Sequence, residues 1–155
     1  MEIDYGEKPV SAELYSLIQL LMQDPLLEPF YLVGGTALAL YLDHRKSMVI
    51  DLFIGEDFDS SKLASHFQKT YKAVQIAWEI NTLRAFIGGI KVELISHQYP
   101  LLREIEVKDE IRLASLNDLA AFKLNAISGR GNRKDFWDLE ALLRHFSLAQ
   151  SKRYH

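Results

Sequence analysis

The sequence predicts an α/β (α+β) sandwich, a mixed sheet flanked by helices with a helical pair at the C-terminal end. Three observations predict it. The apolar pattern switches between periods of 3.6 and 2 in the order helix, strand, helix, strand, helix, strand meander, two helices. Gly88-Gly89 separates two alternating runs as a tight hairpin turn, so part of the sheet is antiparallel. Apolar residues are 48% and charged residues 25% of the 155 positions, a globular balance at the length of one domain. One domain over 1–155 is expected, with an N-terminal helix in 10–27, a sheet core in 28–96 and C-terminal helices in 115–147.

Ser11 can cap a first helix in which Leu14, Leu17, Ile18 and Leu21 recur at i, i+3, i+4 and i+7, with Pro25 as its stop. Phe30–Val33 reads as a short buried strand. Gly34-Gly35 breaks it, and Thr36 opens a helix over Ala37–Leu42 that is apolar nearly all round and therefore central. Met48–Ile54 reads as a second strand, with Val49, Asp51 and Phe53 on one face. Asp59 or Ser60 caps a helix carrying Leu63, Phe67 and Tyr71. The meander Ala73–Ile80, Thr82–Ile87 and Ile90–Ser96 follows, with Lys91, Glu93 and Ile95 sharing a face of its last strand. Ser115-Leu-Asn-Asp118 reads as a capping box with Asp in place of Glu, opening a helix to about Ser128. A last helix from about Lys134 carries Phe136, Leu139, Leu143 and Phe146 as its apolar stripe.

Without cysteine there is no disulfide framework and no thiolate metal site, which fits a reducing compartment. The start Met1-Glu-Ile-Asp4 has no basic leader segment, and no apolar run approaches the roughly 18 residues of a membrane span. A soluble, cytoplasmic protein with no membrane partner is expected. A net charge of -3 leaves no global basic footprint for nucleic acid, so any polynucleotide contact is local. The five histidines show no ligand spacing.

The candidate chemistry lies in a few positions. Gly34-Gly35-Thr36, between a buried strand and a helix N-terminus, reads as an anion site or as a plain tight turn. Asp51 is a carboxylate in an apolar strand and needs a partner or a place near solvent. Glu93 sits on a strand that can neighbour it, and two such carboxylates on one face suit Mg²⁺, which takes oxygen ligands and keeps waters for phosphates. Lys123 falls on the helix face of Leu116, Leu119, Ala120, Leu124 and Ile127, away from Asn117, Asp118 and Asn125. It must snorkel, pair or meet an anion. Asp135 and Asp138 open the last helix, where acids favour the dipole, and Asp135 looks inward. Arg130, Arg133 and Lys134 form a small basic turn that suits a nucleotide or an RNA end, or simply solvent. Trp137 faces away from the apolar stripe.

Taken together, Gly34-Gly-Thr-Ala-Leu-Ala-Leu, His44-Arg-Lys-Ser47 and Ile50-Asp-Leu-Phe53 resemble the first motif of the AbiEii/AbiGii toxin nucleotidyltransferases, a branch of the DNA polymerase beta-like superfamily. Asp118-Leu-Ala-Ala-Phe-Lys123 and Arg130-Gly-Asn-Arg-Lys-Asp-Phe-Trp-Asp138 are similar to that family's later motifs. The resemblance covers 28 to about 145. It implies a nucleotidyltransferase-like sheet and Mg²⁺-dependent transfer of NMP from an NTP to RNA (tRNA) or protein, in a type IV toxin with a cognate antitoxin protein. Gly34, Gly35 and Thr36 would hold the triphosphate, supported by Arg45 and Ser47. Asp51 and Glu93 would be catalytic metal ligands in a two-Mg²⁺ site, and Lys123 would neutralise phosphate. Asp118, Arg130, Lys134, Asp135 and Asp138 would be supporting groups.

The chain departs from that pattern at Val49, where the first aspartate of the strand pair belongs. Because Val49 shares a face with Asp51, a ligand is lost rather than shifted. The alternative function is therefore a catalytically degenerate module that binds nucleotide or a partner protein. A purely structural interaction domain is a third reading.

Overall fold

The computed structural model of the chain describes residues 10–153. Its strands are β1 (Tyr31–Val33), β2 (Val49–Ile54), β3 (Val74–Glu79), β4 (Thr82–Ile87), β5 (Ile90–Ser96), β6 (Glu106–Lys108) and β7 (Ile111–Leu113). They form one mixed sheet in the order β3-β4-β5-β2-β1-β7-β6. β2 lies centrally, antiparallel to β1 and parallel to β5, and the expected hairpin joins β4 to β5. The helices are α1 (Ala12–Met22), α2 (Gly34–Leu42), α3 (Ser60–Tyr71), α4 (Leu116–Arg130) and α5 (Arg133–Arg153), with a short 3₁₀ turn at Pro25–Leu27. The mixed α/β architecture is the one the sequence predicts.

Local chemistry sets the element boundaries. The Ser11 hydroxyl accepts from Leu14 N, Asp59 from Lys62 N and Ser115 from Asp118 N, so each satisfies an amide that its helix leaves open. Gly88 and Gly89 take φ of +56° and +81° in the β4–β5 turn, values that glycine adopts without the cost a side chain brings. Alternate residues Ile50, Leu52 and Ile54 of β2 form one core with Val92 and Leu94 of β5, Leu14, Ile18 and Leu21 of α1, and Leu63 and Phe67 of α3. Each such side chain contributes about 1.5–3 kcal/mol when fully buried.

Three elements differ from expectation. The β6–β7 hairpin was not anticipated: its turn is Asp109-Glu110, with φ of 51° and 66°, and carries no glycine or asparagine to mark it. On α5 the inward side is Asp135, Asp138 and Leu142, while Phe136 and Leu143 are exposed. A stripe chosen by apolarity failed there because two aspartates hold the buried positions. On α4 Leu124 is exposed and Asp118 is buried, the reverse of the expected sides. Asp118 accepts the amides of Leu102 (2.7 Å) and Arg103 (3.0 Å) and the Ser115 hydroxyl (2.8 Å), so it pins a loop against the start of α4.

Candidate functional site

β1, β2 and β5 bring Val33, Asp51 and Glu93 into one row, because Val33 pairs with Asp51 and Asp51 with Glu93. The row on one side of it is Val49 and Lys91, and the row on the other is Phe53 and Ile95. All six side chains of β2 and β5 in these rows are half-buried on the face opposite the core, as strand alternation requires. α4 lies over this face and closes a cleft of about 260 Å³. The row of Asp51 and Glu93 makes one end polar, with Gly34, Gly35, Lys123 and Asp135 in the same lining, and the row of Phe53 and Ile95, with Phe122 against Phe53, makes the other apolar. Phe53 stacks on His97 with ring centroids 4.9 Å apart and lies 5.2 Å from Phe122.

The glycine turn closes the polar end. Gly34 has φ +74°, and a Cβ there would lie 2.6 Å from Asp51 Oδ2, so both the backbone and the carboxylate exclude a side chain. A Cβ on Gly35 would lie 2.0 Å from an Arg45 guanidinium nitrogen. Arg45 therefore occupies the space that the missing side chain leaves. Val33, at the N-cap of α2, contributes no side-chain hydrogen bond, so the first amides of that helix have no capping side chain. Gly35→Ala is expected to push the Arg45 guanidinium aside and lower stability by about 2 kcal/mol, the range for breaking charge-assisted hydrogen bonds, measured by chemical denaturation.

Arg45 is held from behind. Its Nε and Nη2 donate to the two oxygens of Asp138 at 2.7 and 3.0 Å, a bidentate fork, and Nη1 donates to the Lys46 carbonyl at 3.0 Å. Asp138 also accepts from His44 Nε2 at 2.5 Å and pairs with Lys123 Nζ at 2.8 Å, and it is fully buried. Burial by itself would raise the Asp138 carboxyl, but His44, Arg45 and Lys123 together hold it well below the usual carboxylate range. Lys123 donates as well to Asp135 Oδ1 at 2.9 Å. The lysine thus faces inward, as its helical position predicts, and its ammonium lies between two carboxylates of α5.

A model of the family described as nucleotidyl transferase AbiEii toxin, type IV TA system, matches residues 16–100, more than half of the chain. The chain belongs to the AbiEii family. It is 36% identical over 119 residues to the uncharacterized protein aq_aa25 of Aquifex aeolicus, a match over 74% of this chain and 58% of that protein. Its fold resembles that of JHP933 from Helicobacter pylori, with a TM-score of 0.60 at 21% identity over 85% of this chain and 63% of that one. It likewise resembles the Megavirus polyadenylate synthase, with a TM-score of 0.59 at 13% identity over 88% and 32% of the two chains. The antibiotic-resistance factor ANT(2'')-Ia gives a TM-score of 0.58 at 12% identity over 91% and 98%. The sheet is therefore that of the nucleotidyltransferases. The chain spans under two thirds of the length of aq_aa25 and JHP933.

In this AbiEii chain the expected site residues divide by position. Gly34, Gly35, Asp51, Glu93, Lys123 and Asp135 line one cleft. Thr36 and Ser47 are buried behind the loop, their hydroxyls 2.7 Å apart, and Thr36 donates to the Val49 carbonyl. They fasten the glycine loop to the start of β2. Lys134 is exposed on the first turn of α5, and the side chain of Arg130 lies outside the described residues. Phe53 and Phe122 line the cleft without having been anticipated there, although alternation put Phe53 on the face of Asp51, and Lys91 shares the face of Glu93 one row from the lining.

Asp51 and Glu93 are the two carboxylates that the sheet presents to the cleft. Glu93 Oε2 accepts from Arg84 Nε at 3.1 Å, an ion pair whose arginine is half exposed and hence weak. Among the described residues no group of three or more acidic or histidine side chains gathers to bind a metal. Two carboxylates facing an open cleft fit one hard divalent ion that completes its shell with water and phosphate oxygens. The next row of the same face holds Val49 and Lys91, so the sheet adds no third carboxylate there. Among the described residues no helix is long and apolar enough to cross a membrane.

Proposed function

We propose that the chain is a nucleotidyltransferase of the type IV toxin kind, transferring a nucleoside monophosphate from an NTP to RNA, such as tRNA, or to protein. The observation that carries this reading is the pairing of Asp51 with Glu93 beside Gly34, at a helix N-terminus without a capping side chain, in an AbiEii chain. Asp51 and Glu93 would hold Mg²⁺, which supplies Lewis-acid stabilisation of charge on the phosphoryl oxygens. The amides of Gly34 and Gly35 bind the triphosphate, where the helix dipole favours anions. Arg45, braced by Asp138, fixes the shape of that loop. Lys123 places its charge at the cleft with one of its three N–H donors left by Asp135 and Asp138. An acceptor hydroxyl attacks the α-phosphorus, the bond to pyrophosphate breaks, and Glu93 receives the acceptor's proton. Lys134 and Arg130 stand at the α4–α5 turn, where a polynucleotide acceptor would meet positive charge. A cytoplasmic location and a protein antitoxin complete the reading.

The test is incubation with each α-³²P-labelled NTP, Mg²⁺ and total RNA or protein. Label in RNA or protein that disappears with EDTA is the expected result. No transfer combined with no NTP binding would overturn the proposal. A second reading, a nucleotide-binding module without turnover, is favoured by Val49 and by the Arg84 contact to Glu93. It predicts NTP-dependent thermal stabilisation with no label transferred.

A further inference from the structure

The reading above leaves the lost carboxylate at Val49 uncompensated, and the neighbouring row of the sheet bears on it. Lys91 of β5 is the Cα partner of Val49 on β2 and of Phe86 on β4, so its half-buried side chain stands in a row between two apolar ones. Arg45 is held by Asp138, Arg84 by Glu93, and Lys123 by Asp135 and Asp138. Lys91 makes no ion pair or side-chain hydrogen bond among the described residues. A half-buried lysine with no carboxylate partner, one row from the cleft on the same sheet face, can meet an anion there.

The position of Lys91 relative to the glycine loop says which anion. β1 runs antiparallel to β2, so the chain leaving Val33 opposite Asp51 proceeds toward the Val49 end, where Thr36 donates to the Val49 carbonyl. The glycine loop and Lys91 therefore lie toward the same end of the site. Phe53 and Phe122 lie at the other. We infer that Lys91 binds the polyphosphate tail of the nucleotide, supplying at the Val49 row the positive charge that a second metal ion would otherwise bring. This rests on the nucleotide reading of the cleft and extends it to a cation of the chain itself.

Calorimetry with inorganic tripolyphosphate and with ATP, each in EDTA and in Mg²⁺, tests it on the full chain. Lys91→Gln is expected to weaken tripolyphosphate binding in EDTA about tenfold, a fold-change ordinary for one charged hydrogen bond. Lys91→Arg should restore it, and Lys69→Gln on the exposed side of α3 should leave it unchanged. Val49→Asp, which puts a carboxylate directly opposite Lys91, should weaken it as Lys91→Gln does. If wild type binds tripolyphosphate and Lys91→Gln binds it equally well, the inference fails while the nucleotide reading stands. If wild type binds neither tripolyphosphate nor ATP under any condition, the nucleotide reading fails and takes this inference with it.

Discussion

Asp138→Ala is expected to destabilise the fold by about 3–5 kcal/mol, the range for removing one partner of a buried ionic cluster. The reason is what remains. Arg45 and Lys123 would keep their charges in a place with little water, and His44 would lose its 2.5 Å contact. Asp138→Asn keeps the shape and still removes the charge, so it should also be destabilising, by a smaller amount. Urea denaturation at neutral pH measures both. The pH dependence has a definite sign: a carboxyl held below its ordinary value in the folded state contributes stability above the unfolded value of about 4. That contribution is lost as pH falls below about 4 toward the depressed folded value. Wild type should therefore lose stability more steeply than Asp138→Asn below that pH, and the two curves should converge. Parallel curves would show that Asp138 is not the carboxylate responsible.

Asp51→Asn is expected to reduce Mg²⁺-dependent nucleotide transfer about a thousandfold, equivalent to roughly 4 kcal/mol of transition-state stabilisation. Asp51 is half-buried on the cleft face, and asparagine is nearly its isostere, so a fall in activity with an unchanged denaturation curve separates chemistry from folding. Binding adds a sharper test. Removing a negative charge beside the glycine loop should leave metal-free tripolyphosphate affinity equal or higher, while the gain that Mg²⁺ confers should shrink. A loss of affinity in both conditions would mean that Asp51 shapes the loop, by filling the space beside Gly34, rather than holding a cation.

The parts of the site legible in the sequence are those that a local period determines. Alternation alone placed Val49, Asp51 and Phe53 on one face of β2, and the helical period turned Lys123 inward. What the sequence does not encode locally is which groups meet over long separations. Asp135 read as inward-facing and Lys123 as needing a partner, yet nothing in either helix pattern joins them to Asp138 and Arg45. Asp118 read as a polar-side residue because its partners, the amides of Leu102 and Arg103, lie in a loop with no periodicity. The β6–β7 hairpin escaped for a related reason: its strands are three residues long, and Asp109 and Glu110 adopt positive φ without the usual signal. The exposed Phe136 and Leu143 show the converse error, in which apolar type was read as burial.

The fork between Arg45 and Asp138 spans 93 residues of sequence. Closing so long a loop costs conformational entropy. During synthesis, the glycine turn and both strand carboxylates leave the ribosome well before α5, so the emerging chain holds the walls of the cleft without the brace behind its loop. The cleft gains its final shape only when α5 docks and Asp138 reaches Arg45 and Lys123.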